Sequence, residues 1–146
     1  MTSVAEIAPV VKEIVVNATV ERAWEVFTAG VDGWWPVATH SVEPGRVREV
    51  AFENGRLFER WDDGTECRWG EVEVWEPPHR LRMAWQPNPG VVETTEVEVT
   101  FVAEGDHTRV RLEHRAWERL GPRATDARRS YDDGWTQVLG RYAERF

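Results

Sequence analysis

Apolar and polar residues alternate along most of the middle of the chain. Between Arg46 and Ala116 the period is two, as expected for strands with one buried face and one solvent face. Turn sequences divide this stretch, and Asn54-Gly55 is the strongest hairpin signal among them. With one strand before it, the pattern predicts about seven antiparallel strands, over residues 10–16, 46–53, 56–61, 66–75, 80–86, 92–103 and 107–116.

The period changes to that of a helix on both sides of this region. After residues 17–19, which can cap a helix, apolar residues at helical spacing predict a helix over residues 20–29. A second, short helix is predicted to end at Pro36, because proline cannot continue a helix. Residues 122–146 are predicted to form a long helix with one apolar stripe, made by Tyr131, Trp135, Val138, Leu139, Tyr142 and Phe146.

A long one-sided helix after an antiparallel meander has to bury its stripe on the sheet. The predicted fold class is therefore α+β, with two short N-terminal helices and one long C-terminal helix packed across a curved sheet. Residues 1–146 are predicted to form one domain, with residues 1–8 as a loosely ordered lead-in. Gly134 and Gly140 each cost the long helix about 1 kcal/mol relative to alanine, which indicates that another group approaches the backbone there.

Composition adds one unusual feature, nine tryptophans in 146 residues, which either line a cavity or fill a thick core. The net charge of −8 argues against nucleic-acid and anionic-membrane partners. Cys67 is the one cysteine, so neither a disulfide nor a cysteine-based zinc site is expected, and no metal or cofactor motif is found. Met1–Pro9 lacks the features of a signal peptide, which favours a cytoplasmic location. All basic residues except Lys12 are arginine, as in proteins from GC-rich, bacterial genomes.

Alternation also assigns side chains to faces. It places two ionisable residues, Glu59 and His114, on an otherwise apolar inner face. Burying an unpaired charge is costly, so the pKa of His114 is expected to be lowered. The two are either satisfied structural groups or candidate catalytic residues. The faces of Trp69 and Trp75 stay open, and a bulge near Gly70 would reconcile them with the neighbouring valines.

Four motifs, in this order along nearly the whole chain, carry a family resemblance. They are Gly33-Trp-Trp-Pro, Asn54-Gly-Arg-Leu-Phe-Glu59, Trp75-Glu-Pro-Pro-His-Arg-Leu81 and Ser130-Tyr-Asp-Asp-Gly-Trp135. Together they are similar to the homologues of the activator of the heat-shock-protein ATPase, a branch of the START-like (SRPBCC, birch-pollen-allergen-like) superfamily with the helix-grip fold. The resemblance implies a cavity between the sheet and the long helix that often holds lipids or other hydrophobic molecules. The eukaryotic co-chaperone carries a further N-terminal domain for which this chain has no room, which argues against a chaperone partner.

The first functional hypothesis is binding of a small hydrophobic or amphipathic molecule in that cavity. The predicted ligand-binding residues are Trp34, Trp35, Glu59, Trp61, Met83, Trp85, Phe101, His114, Tyr131 and Trp135. The alternatives are a small-molecule enzyme of the cyclase or hydrolase type that uses Glu59 and His114, and a co-chaperone-like interaction module. Trp34 and Trp35 either gate the cavity or fill the core. His40 is expected in a loop near the cavity mouth, and a homodimer is compatible with every hypothesis.

Overall fold

The computed structural model describes residues 7–86 and 92–146. Its strands are β1 (Val10–Val16), β2 (Val47–Glu53), β3 (Arg56–Trp61), β4 (Glu66–Glu76), β5 (Arg80–Trp85), β6 (Thr95–Glu104) and β7 (His107–Arg115). Its helices are α1 (Val20–Phe27) and α2 (Ala124–Ala143), with short 3-10 turns at Val31–Gly33, Pro44–Arg46 and Trp117–Arg123. Residues 1–6 of the predicted lead-in lie outside the described residues.

The seven strands form one curled antiparallel sheet in the order β1-β7-β6-β5-β4-β3-β2. The meander from β2 to β7 pairs each strand with the next, and β1 joins the far edge beside β7. The Asn54-Gly55 turn is confirmed, with φ of 55° and 74° at the two residues. Positive φ at both central positions matches the twist of the flanking strands. The α+β helix-grip architecture is thus confirmed.

Strand β4 carries two bulges that decide where its tryptophans point. The register with β3 shifts at Trp69, and the register with β5 shifts between Val72 and Val74. Each extra residue reverses the alternation, so Trp69, Val72 and Trp75 all reach the inner side. Trp69 is buried, whereas Trp75 is 44% exposed and packs its ring edge-to-face on Trp24 at 5.0 Å. The expected bulge is confirmed, and the open question of the two faces is resolved.

The outer face of the sheet carries the charged residues, as alternation predicts. Arg115, for example, bonds to Glu96, Glu98 and Glu113 on the same and neighbouring strands. One apolar residue on this face, Phe58, is fully buried because the guanidinium groups of flanking arginines lie over its ring. Long arginine side chains can cover apolar surface in this way while their charged ends stay in water.

The long helix begins later than predicted. Residues 117–123 form a 3-10 segment that is broken at Gly121, where φ is 59° and ψ is −128°, and α2 follows. Four members of the apolar stripe are buried, Tyr131 is half-buried, and Phe146, after the helix end, is 36% exposed.

Two other predicted boundaries are wrong. The second short helix is a single 3-10 turn at Val31–Gly33, so Trp34 to Pro36 lie outside it. Strand β6 begins at Thr95, and Val92 is 85% exposed. The physical reason for the second error is that valines favour strands only where a neighbour covers them. Among the described helices, none combines the length and the apolar run needed to cross a bilayer.

Candidate functional site

A cavity of about 570 Å³ lies between α2 and the inner face of the sheet, beside the loop that follows Trp35. The sheet contributes Trp69 and Trp85, Gln86 follows the end of β5, and α2 contributes one helix face. The lining residues are Trp35, Thr39, His40, Ser41, Val42, Trp69, Trp85, Gln86, Leu120, Arg123, Ala127, Ser130, Tyr131, Asp133, Gly134, Trp135, Gln137 and Val138.

Four indole rings form the floor of this cavity. Trp35 contacts Trp69 at a centroid distance of 4.8 Å, Trp69 contacts Trp85 at 6.3 Å, Trp85 contacts Trp135 at 5.5 Å, and Trp135 contacts Trp35 at 6.0 Å. The rings thus close a circle, and each is at most 9% exposed. Tilted and edge-on contacts of this kind hold aromatic rings in fixed orientations.

Every indole N–H of this floor bonds to the protein. Trp35 Nε1 donates to the backbone oxygen of His40 at 2.8 Å, and Trp85 Nε1 donates to the hydroxyl of Tyr131 at 3.0 Å. The N–H groups of the other two rings donate to the buried ionisable residues. The floor therefore presents mainly aromatic carbon to the cavity.

Glu59 is fully buried and accepts four hydrogen bonds. Its Oε1 accepts from the backbone N–H of Val42 at 2.6 Å and from Trp69 Nε1 at 2.8 Å. Its Oε2 accepts from the backbone N–H of Glu43 at 3.1 Å and from Trp61 Nε1 at 2.8 Å. One carboxylate thus ties the loop at the cavity edge and a floor tryptophan to β3.

His114 is fully buried, and both of its ring nitrogens are hydrogen-bonded within the protein. Its Nδ1 must accept, because Trp135 Nε1 can only donate, and the two atoms are 2.9 Å apart. Nε2 therefore carries the proton and donates to Oγ1 of Thr95 at 2.6 Å. Burial lowers the pKa of His114 to about 3, so the ring stays neutral, in line with the expected direction.

The structure does not bring Glu59 and His114 together. They lie on β3 and β7, four strand spacings apart, which is ~19 Å along the sheet at about 4.8 Å per spacing. They share no hydrogen-bond partner among the described residues, and neither lines the cavity. A general acid and base must both reach the reacting atoms, so this geometry gives the pair no basis for a shared catalytic role.

Of the ten predicted ligand-binding residues, four line the cavity: Trp35, Trp85, Tyr131 and Trp135. Trp34, Met83 and Phe101 are buried in the core, where Trp34 Nε1 donates to the backbone oxygen of Val26. Trp61 is half-buried beside Glu59. Of the two options for the Trp34–Trp35 pair, the first residue therefore fills the core and the second forms cavity wall.

The polar rim of the cavity contains residues that sequence reasoning did not select. Several come from the helix, where Gln137 Nε2 donates to Oδ2 of Asp133 at 3.2 Å. Arg123, at the start of the helix, pairs with Glu93 at 3.3 Å. One signal was available, because residues 130, 133, 134 and 137 are spaced like one face of a helix.

His40 lies at the rim, as its expected place near the mouth suggested. Its Nδ1 is 2.7 Å from Oγ1 of Thr39, and its ring lies over Gly134, where a Cβ would be 3.7 Å from Nε2. The expected approach to the helix backbone is therefore confirmed at Gly134. It is wrong at Gly140, where a Cβ would meet nothing within 4 Å.

Within residues 7–86 and 92–146, no group of three or more histidine, cysteine, aspartate or glutamate side chains is arranged to hold a metal ion.

The sequence and the fold are similar to those of several known proteins. The family model described as "Activator of Hsp90 ATPase homolog 1-like protein" matches residues 17–146. The chain is 37% identical to the solved structure of an anthrahydroquino-γ-pyrone synthase, Txn09, over 97% of this chain and 98% of that one, with a TM-score of 0.64. It is 27% identical to the self-sacrificing resistance protein CalC of Micromonospora echinospora, over 94% and 92% of the two chains, with a TM-score of 0.72. A search of curated proteins finds no match.

Proposed function

Since the chain belongs to the family of activator of Hsp90 ATPase homolog 1-like proteins, we propose that it binds a small, flat, amphipathic aromatic molecule in the cavity between α2 and the sheet. The observation that carries the proposal is the floor of four indoles whose N–H groups are all bonded to the protein. Such a floor favours an apolar ring system. The rim of hydroxyl, amide, imidazole and charged groups favours polar substituents at the edge of that ring system.

The size of the cavity supports the proposal. Ligand pockets in proteins are mostly about 300–1,000 Å³, and this one holds about 570 Å³. Aromatic contacts contribute about 0.5–1.5 kcal/mol each beyond the area that they bury. A flat molecule can contact several of the four indoles at once, whereas a flexible chain loses more conformational freedom on binding.

Apolar burial alone does not give tight binding. A ligand that shields about 200 Å² of wall gains about 5 kcal/mol at about 25 cal/mol per Å², before the cost of association. Micromolar affinity corresponds to about 8 kcal/mol. Hydrogen bonds to polar groups that line the cavity therefore have to contribute.

The similarity to Txn09 supports the aromatic class. That protein is named as a synthase of an anthrahydroquino-γ-pyrone, a fused aromatic ring system, and it is 37% identical to this chain over nearly its whole length.

The test fills the cavity from the helix side. Ala127 lines the cavity, so Ala127→Trp is expected to block it, while Thr136→Trp places the same ring on an exposed position of the same helix. Equilibrium dialysis with 2-(hydroxymethyl)anthraquinone measures Kd for each protein. We expect the affinity to fall at least tenfold in Ala127→Trp and to stay unchanged in Thr136→Trp. Absence of binding to the wild type, or equal binding to Ala127→Trp, would overturn the proposal.

A second candidate function, ring closure of an aromatic substrate, is favoured by the synthase activity for which Txn09 is named. In this chain one titratable group at the rim that can reach a bound molecule is His40, whose Nδ1 lies 2.7 Å from Oγ1 of Thr39. It can transfer a proton during closure of a 2-hydroxyaryl 1,3-diketone, in which the phenol oxygen adds to the distal carbonyl and water is lost. Pyrone formation followed by absorbance, with wild type and His40→Gln, tests this. Rates equal to buffer alone would remove the candidate, and equal rates for the two proteins would remove His40.

A further inference from the structure

We infer that Tyr131 is a specificity-determining residue, whose hydroxyl, beside the aromatic floor, donates a hydrogen bond to a carbonyl oxygen of the bound molecule. This inference rests on the proposed function and narrows its ligand class to flat aromatic ketones and quinones.

The first observation is the bonding of the Tyr131 hydroxyl. Its oxygen accepts from Trp85 Nε1 at 3.0 Å, and both residues line the cavity. Within residues 7–86 and 92–146, the structure shows no acceptor for its proton. A bound molecule that covers this hydroxyl without offering an acceptor leaves a buried donor unpaired, which costs about 1–3 kcal/mol. A ligand that brings a carbonyl acceptor avoids this cost.

The second observation is the fixed position of the Tyr131 ring. It packs against His114 at a centroid distance of 4.9 Å, Trp117 at 5.7 Å and Trp135 at 6.3 Å, and lies nearly perpendicular to Trp85. A donor that is already held in place loses little further freedom when it bonds.

The third observation concerns protonation and polarisation. Burial raises the pKa of Tyr131 to about 12, so the hydroxyl stays a donor at neutral pH. The indole N–H of Trp85 bonds to the same oxygen, which strengthens the hydroxyl as a donor because consecutive hydrogen bonds polarise one another.

The other buried polar groups near the floor are already bonded within the protein. Glu59 accepts four hydrogen bonds, and both ring nitrogens of His114 are bonded. The second tyrosine, Tyr142, donates its proton to the backbone oxygen of Ala23 at 2.7 Å, away from the cavity. Tyr142 is therefore the matched control for Tyr131.

The experiment compares two neutral ligands that differ in their carbonyl groups, 2-(hydroxymethyl)anthraquinone and 2-(hydroxymethyl)anthracene. Equilibrium dialysis gives Kd for both with wild type, Tyr131→Phe and Tyr142→Phe. The measured quantity is the preference, the Kd of the anthracene divided by that of the anthraquinone. Because general damage to the cavity affects both ligands, the preference reports the carbonyl contact.

We expect Tyr131→Phe to lower the preference about fivefold to tenfold, the value of one hydrogen bond, and Tyr142→Phe to leave it unchanged. The infrared carbonyl band of the bound anthraquinone should also shift upward in Tyr131→Phe. An unchanged preference in Tyr131→Phe would overturn the inference while the proposed function stands. Failure of both ligands to bind the wild type would overturn the proposed function and this inference with it.

Discussion

Replacing Glu59 with glutamine is expected to lower the free energy of unfolding by about 3 kcal/mol or more. Each carboxylate oxygen of Glu59 accepts one backbone N–H and one indole N–H. Glutamine keeps the shape but turns one oxygen into an NH₂ group that faces two donors. Two hydrogen bonds to a charged group, at about 1.5–3 kcal/mol each, are then lost. Typical unfolding free energies are about 5–15 kcal/mol, so the change is large.

Urea unfolding followed by tryptophan fluorescence measures this change. Glu43→Gln is the matched control, because the Glu43 side chain is exposed and only its backbone N–H bonds to Glu59. Its effect should stay within about 0.5 kcal/mol. Hydrogen exchange adds a local readout, since the amides of Val42 and Glu43 should lose protection in Glu59→Gln.

A loss below about 1 kcal/mol in Glu59→Gln would refute the reasoning, because it would mean that the four hydrogen bonds do not hold the loop to the sheet. Unchanged protection of the Val42 amide would do the same even if the protein were destabilised, since the loss would then arise elsewhere.

Three further predictions concern the buried histidine His114 and two glycines, one with open space beside it and one in a tight position. The pKa of His114, about 3 in the folded protein, lies below the unfolded value, so the unfolded chain takes up the proton first and stability falls as pH drops below about 6.5. Between pH 7 and pH 5 the protonation of His114 should lower the unfolding free energy by about 2 kcal/mol. Denaturant titrations should show that His114→Gln removes this pH dependence, whereas the control His79→Gln, at an exposed histidine, keeps it. Gly140→Ala should raise the unfolding free energy by up to about 1 kcal/mol, because a Cβ meets nothing within 4 Å. Gly70→Ala should lower the unfolding free energy by about 1 kcal/mol or more, because the new Cβ would be 3.1 Å from the Met83 sulfur. Thermal melts in which Gly70→Ala is more stable than Gly140→Ala would contradict both glycine predictions.

The residues that alternation placed correctly are those in regular strands. His114 and Glu59 are both fully buried, as the period of two predicted. Alternation could not place Trp69, because an extra residue in β4 reverses the pattern and its position depends on pairing with β3. The start of the long helix was predicted wrongly for a similar reason, since the break at Gly121 leaves the helical pattern of the following residues unchanged.

The candidate site was predictable only in part. Trp135 and Tyr131 belong to the apolar stripe, so the helix period placed them against the sheet. His40 was expected near the mouth because it follows a turn, but no local pattern indicated that its ring lies over Gly134. Asp133 and Gln137 lie beside the stripe and were missed, because the edge of a cavity runs along the border between the two faces of a helix.

The sequence by itself determined the elements, the buried face of each regular strand and the helix that covers the sheet. These follow from backbone periodicities of two and 3.6 residues, which any segment carries in its own side chains. The tertiary structure alone decided which groups are bonded to one another. The partners of Glu59 lie up to 17 residues away along the chain, and those of His114 up to 21. Whether a buried polar group holds the fold or remains available to a ligand depends on such distant partners, and Tyr131 is distinguished from Tyr142 only by them.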